Sequence, residues 1–145
     1  MIDTEYSNKH DNSDKFILTF GYGNRKTYDE FFAYLKDFHV ICVVDVRLNP
    51  RAWSRKWYGD IIETVCCKKN INYISKVSLG NTSGNNNWVP PDYQEAAVAL
   101  QEISEIAQNG TILLLCAEKN SCRCHRVDIA QQLQKLVDRK IKHLE

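Results

Sequence analysis

The residues best equipped for chemistry lie in one stretch, Cys116-Ala117-Glu118-Lys119-Asn120-Ser121-Cys122-Arg123-Cys124-His125-Arg126. A β-prone apolar run ends at Cys116, the chain turns, and a helical pattern starts near Cys124. The first turn of a helix offers N–H groups without intrahelical partners and a partial positive charge. These hold an anion and make a thiol more acidic. Three readings compete. In the first, Cys124 is a nucleophile activated by the helix start, by His125 and by nearby arginines. In the second, Cys116, Cys122, Cys124 and His125 bind zinc. In the third, Cys124 packs into the core while His125 and Arg126 bind an anion. The tight Cys-x-Cys-His spacing is not a common zinc pattern, and no second ligand pair lies elsewhere, so neither metal nor cofactor is expected. The Cys-x5-Arg loop of phosphatases is not matched either. Cys116 to Arg123 is one residue too long, and the loop has no glycine. Glu118 and His125 are the acid–base candidates.

These residues need a scaffold, and the chain reads as alternating strands and helices. Residues 1–14 are polar and read as a loose tail. Phe16–Phe20 is β-prone and ends at Gly21. Thr27 with Glu30 has the form of a capping box for a helix burying Phe31, Phe32, Leu35 and Phe38. Val40–Val46 is an apolar run that includes Asp45, the pattern of a strand covered on both faces. A helix carrying Ile61, Ile62, Val65 and Cys66, a strand at 71–77 and a long loop at 78–91 follow. Asp92 and Glu95 form the next box, opening a helix that buries Ala96, Ala97, Leu100, Ile103 and Ala107 and stops at Gly110. Thr111–Cys116 is the fourth strand, and the last helix shows Val127, Ala130, Leu133 and Val137 on one face. The expected fold is α/β, a three-layer α/β/α sandwich with a mainly parallel sheet of about four strands. A single domain spans 15–138, and 139–145 is a C-terminal tail in which Leu144-Glu145 is given no role.

Ligands bind beyond the carboxyl ends of the strands in such a sheet. The segments leaving those ends are 21–26, 45–57, 78–91 and 116–126. They hold nine basic residues against two acids, Asp45 and Glu118, whereas the whole chain carries a net charge of only +1. This asymmetry predicts an anionic ligand at that edge, and the planar fork of arginine suits phosphate or carboxylate. The candidate ligand-binding residues are Asn24, Arg25, Arg47, Arg51, Lys119 and Arg126. Asp45 would orient an arginine and joins Cys124, His125 and Glu118 as a catalytic candidate. Trp53, Trp57, Tyr58 and Trp88 share the edge, where they either stack bases or cap the core. The partner implied is an anionic small molecule or a nucleic acid. No apolar run approaches the ~20 residues of a membrane helix. The N-terminus lacks the features of a signal peptide, so the expected compartment is the cytosol, with free thiols.

Phe20-Gly21-Tyr22-Gly23-Asn24-Arg25, Asp45-Val46-Arg47-Leu48-Asn49-Pro50, Leu79-Gly80-Asn81, and Cys116-Ala117-Glu118-Lys119 with Cys124-His125-Arg126 occur in this order. Together they resemble the family called domain of unknown function 488, over about residues 16–136. The resemblance implies a three-layer sandwich but brings no established reaction. The family's motif positions fall on Asn24, Arg25, Asp45, Arg47, Pro50, Cys116, Glu118, Cys124, His125 and Arg126. This chain lacks the proline that members often carry near Ser121. It also has an extra Cys122, so a zinc role that depends on it would not be a family trait. There is a looser similarity to rhodanese-type domains in the order of Asp-Val-Arg and the strand-loop-helix near Cys116, although the rhodanese loop itself is not reproduced. The leading functional expectation is a site that binds a phosphate-bearing ligand, such as a nucleotide or nucleic acid, with or without acting on it. The alternatives are a sulfur- or phosphoryl-transfer enzyme using Cys124, and a non-catalytic nucleic-acid-binding module.

Overall fold

The structure, a computed structural model, describes residues 15–23, 25–117 and 124–144. Five strands alternate with four α-helices among these residues. In chain order they are β1 (Phe16–Gly21), α1 (Asp29–Asp37), β2 (Val40–Asp45), α2 (Gly59–Lys68), β3 (Asn72–Ser75), α3 (Tyr93–Ala107), β4 (Thr111–Cys116), α4 (Arg126–Leu136) and β5 (Lys140–Leu144). The sheet order is β3-β2-β4-β1-β5, and each neighbouring pair is parallel.

The pleat of the strands decides the layers. Leu18 and Phe20, Val43, and Leu113 and Leu115 project to one face, where they pack with Phe31 and Leu35 of α1 and Ile62 and Cys66 of α2. Ile17, Cys42 and Val44, and Ile112 and Leu114 project to the other. There they meet Leu100 and Ile103 of α3 and Ile129, Ala130 and Leu133 of α4. The central strand β4, apolar from Ile112 to Cys116, is therefore covered on both sides, and all six of its residues are buried. Each fully buried leucine or isoleucine contributes about 1.5–3 kcal/mol. The expected three-layer sandwich is the fold of the chain.

Several local expectations are corrected. The sheet has five strands among the described residues, one beyond the expected number of about four. The extra strand, Lys140–Leu144, comes from the segment expected to be a tail. Its exposed Lys140, Lys142 and His143 mask the strand pattern, and they suit an edge strand because charge there discourages further pairing. Leu144, opposite Phe20 in register, is 3% exposed and belongs to the core. The Thr27–Glu30 capping box does not form. Tyr28 is the N-cap of α1 without a side-chain cap bond, and Glu30 turns to Arg25 instead. Asp92 does cap α3, its Oδ1 accepting from the Glu95 N–H at 3.0 Å. On α3 it is Ala99 that is buried while Ala97 is exposed, and on α4 Ile129 is more deeply buried than Val127.

Candidate functional site

Three parallel strands end together. Gly21 of β1 is opposite Cys116 of β4, and Asp45 of β2 is opposite Leu115. The chain stays pinned just beyond these ends: Tyr22 N–H donates to the Cys116 carbonyl at 3.1 Å, Gly23 N–H to Ala117 at 2.7 Å, and Val46 N–H to Leu115 at 3.1 Å. The side chains at the edge are thus held by backbone ladders rather than by loose loops.

Cys116, at the end of β4, meets Cys124 and His125, which lead into α4. One donor atom from each of the three lies within 4.8 Å of the others, and all three residues are buried. His125 Nδ1 is 3.8 Å from the sulfur of Cys116 and 3.8 Å from that of Cys124. Its Nε2 is 2.9 Å from the Val46 carbonyl. A carbonyl only accepts, so Nε2 carries a hydrogen and Nδ1 is the nitrogen that exchanges a proton with sulfur.

The charges within this cluster are unequal. The Cys124 thiol is pulled well below its ordinary range, first by a hydrogen bond from Cys116. Burial opposes this, and the His125 bond, the Arg126 charge and the Arg126 backbone N–H all add to it. The Cys116 thiol is pushed well above its range, first because its S–H serves Cys124 and next by burial. For His125, burial works against the imidazolium, but the hydrogen bond and charge of Cys124 outweigh it and the net direction is upward. The consistent picture is a thiolate on Cys124, a retained S–H on Cys116 and a proton favoured on His125. Arg126, fully buried, supplies positive charge beside them.

A second polar group adjoins the first. Asp45 is fully buried and receives the fork of Arg47, with Nε to Oδ1 at 2.8 Å and an Nη to Oδ2 at 2.7 Å. The Arg47 N–H adds a bond to Oδ1 at 3.2 Å, and the Tyr73 hydroxyl donates to Oδ2 at 2.5 Å. The other Nη of Arg47 donates to the Trp57 carbonyl at 2.7 Å, which ties down the 46–57 loop. Burial pushes the Tyr73 hydroxyl up, and the Asp45 carboxylate adds to the shift. Burial also disfavours the Arg47 cation, but the bond and charge of Asp45 prevail and raise it. Val46 lies between the paired residues, so the carbonyl that orients His125 is held by the ion pair on either side of it.

The predicted site residues divide accordingly. Cys124, His125 and Arg126 are brought together, and Asp45 and Arg47 sit beside them. Arg25 is nearly buried, donates from Nε to the Gly21 carbonyl at 2.9 Å, pairs with Glu30 and covers the Phe20 ring. Arg51 is exposed, with its guanidinium 6.0 Å from the Tyr58 ring. Asn24, Glu118 and Lys119 lie outside the described residues, as do Cys122 and Arg123. Trp57 is buried and stacked on Tyr22, whereas Trp53 is fully exposed. Sequence reasoning missed Tyr73. Only the pairing of β3 beside β2, with Asp45 opposite Ser75, brings that hydroxyl to the carboxylate. It also undervalued Cys116, whose apolar run reads as core. Cys116, Cys124 and His125 are the donors that could hold a thiophilic metal ion, so the fold unites three of the four residues of the zinc reading that spacing had disfavoured.

An all-parallel α/β sandwich with a buried cysteine–cysteine–histidine cluster at its carboxyl edge is the class of protein these observations define. The family model described as Domain of unknown function DUF488 matches residues 27–133, and the chain belongs to that family. No curated protein and no solved structure matches the chain. No helix among the described residues is long and apolar enough to cross a membrane.

Proposed function

We propose that this protein is a cysteine-dependent group-transfer enzyme in which the Cys124 thiolate attacks an electrophilic sulfur or phosphorus centre. The observation that carries the reading is the convergence of Cys116, His125 and the first turn of α4 on the Cys124 sulfur. Each lowers the cost of a thiolate, and the thiolate is the nucleophilic form. His125, with Nε2 held by Val46, presents Nδ1 to the sulfur and is the acid that protonates a leaving group. Asp45, Arg47 and Tyr73 fix the Val46 carbonyl and so position His125 without touching the reacting atoms.

The test is iodoacetamide alkylation against pH, mapped by mass spectrometry on the folded protein. Cys124 should be modified well below pH 8.5, the free-thiol value of about 8.5 being the reference. Cys42 and Cys66 should resist, since burial pushes them to about 11 and about 12. In His125→Ala the onset at Cys124 should move to higher pH. Cys124 inert until the chain unfolds would overturn the reading. So would a stoichiometric metal ion whose removal by a chelator is needed before any reaction occurs.

A specific observation favours a second reading at the same edge. Trp53 is fully exposed on the loop that carries exposed Arg51 and Arg55. An exposed indole beside guanidinium groups suits a base next to its phosphate, which keeps a phosphate-bearing ligand such as a nucleotide or nucleic acid in view. Oligonucleotide affinity should then fall steeply with salt and drop in Trp53→Ala. A flat salt response would exclude it.

A further inference from the structure

The cluster holds more than a lone nucleophile needs. Cys116 contributes a second thiol, whose sulfur is 3.8 Å from the same His125 Nδ1 as that of Cys124, and both cysteines are free. Their sulfurs lie within 4.8 Å, whereas a disulfide requires about 2.05 Å. Bond formation would require movement at Cys124, which lies two residues before the first residue of α4. Cys116 is the fixed partner, pinned by its pairing with Gly21 and by the bond from Tyr22 N–H. A phosphorylated or acylated cysteine would gain nothing from a second thiol there, but a mixed disulfide would be resolved by it.

We propose that Cys116 and Cys124 form a dithiol–disulfide couple, and that the electrophile of this site is the sulfur of a substrate disulfide. The inference rests on the nucleophilic reading of Cys124 and names its substrate class. In the first step the Cys124 thiolate attacks one sulfur of R–S–S–R′. The substrate S–S bond breaks, a Cys124–S–S–R′ bond forms, and the departing RS− takes the proton of the His125 imidazolium to leave as RSH. In the second step the Cys116 sulfur attacks Cys124 and passes its proton to His125 Nδ1, 3.8 Å away. The mixed disulfide breaks, and R′S− takes that proton from the imidazolium. The substrate disulfide is reduced to two thiols while the protein's two thiols are oxidised to one disulfide, so atoms and electrons balance. A small dithiol resets the pair by the reverse exchange.

The experiment uses 5,5′-dithiobis(2-nitrobenzoate), an anionic aromatic disulfide whose released thiolate is read by absorbance. The full chain carries Cys67→Ser and Cys122→Ser, so that the exposed Cys67 and the additional Cys122 do not contribute. Two equivalents of thiolate should be released rapidly. After denaturing alkylation, mass spectrometry should find the peptides of Cys116 and Cys124 joined, and dithiothreitol should restore two alkylatable thiols. Cys116→Ala or Cys116→Ser should halve the rapid release to one equivalent and leave a lasting mixed disulfide on Cys124, with circular dichroism confirming that the variant is folded. The resolving role is overturned on its own if the parent protein stops at one equivalent with Cys116 still alkylatable. If no rapid release occurs, the nucleophilic reading fails and the inference fails with it.

Discussion

Replacing Arg47 by methionine tests how the scaffold holds the site. The change removes the two fork bonds to Asp45, at 2.8 and 2.7 Å, and the 2.7 Å bond to the Trp57 carbonyl. It leaves a carboxylate with no exposure facing only Tyr73 and backbone. Breaking a buried pair by removing one partner costs about 3–5 kcal/mol, mostly because the surviving charge is uncompensated. Urea unfolding followed by tryptophan fluorescence should show that loss as a lower midpoint at unchanged slope. The double variant Asp45→Asn with Arg47→Met removes both charges and should recover at least about 1 kcal/mol of it, because the buried carboxylate is gone. The single variant should also move the onset of Cys124 alkylation to higher pH, since the Val46 carbonyl that orients His125 sits between the two altered contacts. A loss below about 1 kcal/mol, or a double variant no more stable than the single one, would refute the view that Asp45 and Arg47 are a structural ion pair. Arg47 would then be available to a ligand, as its place in the arginine-rich edge first suggested.

Other perturbations report on other links in the chain of argument. The stability difference between the wild type and Cys124→Ser should widen as pH rises from the depressed titration of Cys124 toward 6.5, the ordinary histidine value. The sign follows because the unfolded chain binds the cysteine proton that the folded chain has released. Above 6.5 the raised His125 contributes with opposite sign, its stabilisation being fully present below that value and lost above it. The difference should therefore stop widening, and a difference flat across the whole acid range would refute the thiolate assignment. Gly80→Ala would place a Cβ 2.5 Å from the Cα of Leu48, so backbone must shift; a loss of about 1–3 kcal/mol in urea unfolding is expected. Leu144→Ala should cost about 2–3 kcal/mol by the same measurement, because a side chain 3% exposed is cut back within the core. No loss there would mean that β5 is not part of the cooperative unit.

The layers were legible in the sequence because their cause is local. Apart from Asp45 and Thr111, Val40–Val46 and Thr111–Cys116 are apolar at every position, and a strand covered on both faces requires that. The helix faces were read with errors of a residue or two, such as Ala97 for Ala99, because small residues tolerate either side of a helix. β5 was not legible, since an edge strand with two lysines has half the pattern of a buried one. Thr27–Glu30 misled for a different reason. Its spacing is that of a cap, but Arg25, five residues before Glu30, offers that carboxylate a charged partner. At the site, the segment 116–126 stood out by composition, yet the partition of its residues into roles depended on strand order. Nothing local to Tyr73 connects it with Asp45. Nothing local to Cys116 separates it from the core residues before it.

Strand order also explains why one short segment can hold a thiolate and a thiol side by side. β4 is central, so Cys116 ends its strand between β1 and β2 and beneath the chain leaving both. α4 returns over the face that carries Ile112 and Leu114, which brings Cys124 back to the strand end it has just left. The strand end therefore provides a sulfur shielded by neighbouring backbone. The helix start provides a sulfur exposed to N–H groups and to the charge of Arg126. Burial alone would raise both thiols, as it does Cys42 and Cys66. Only the sulfur that receives donors from Cys116, His125 and Arg126 goes the other way, and the asymmetry follows from which end of which element each cysteine occupies. If that is the cause, Cys116→Ala and His125→Ala, each of which removes one of those donors, should each raise the alkylation onset of Cys124. An onset unmoved in both variants would place the stabilisation in the helix start and Arg126 instead.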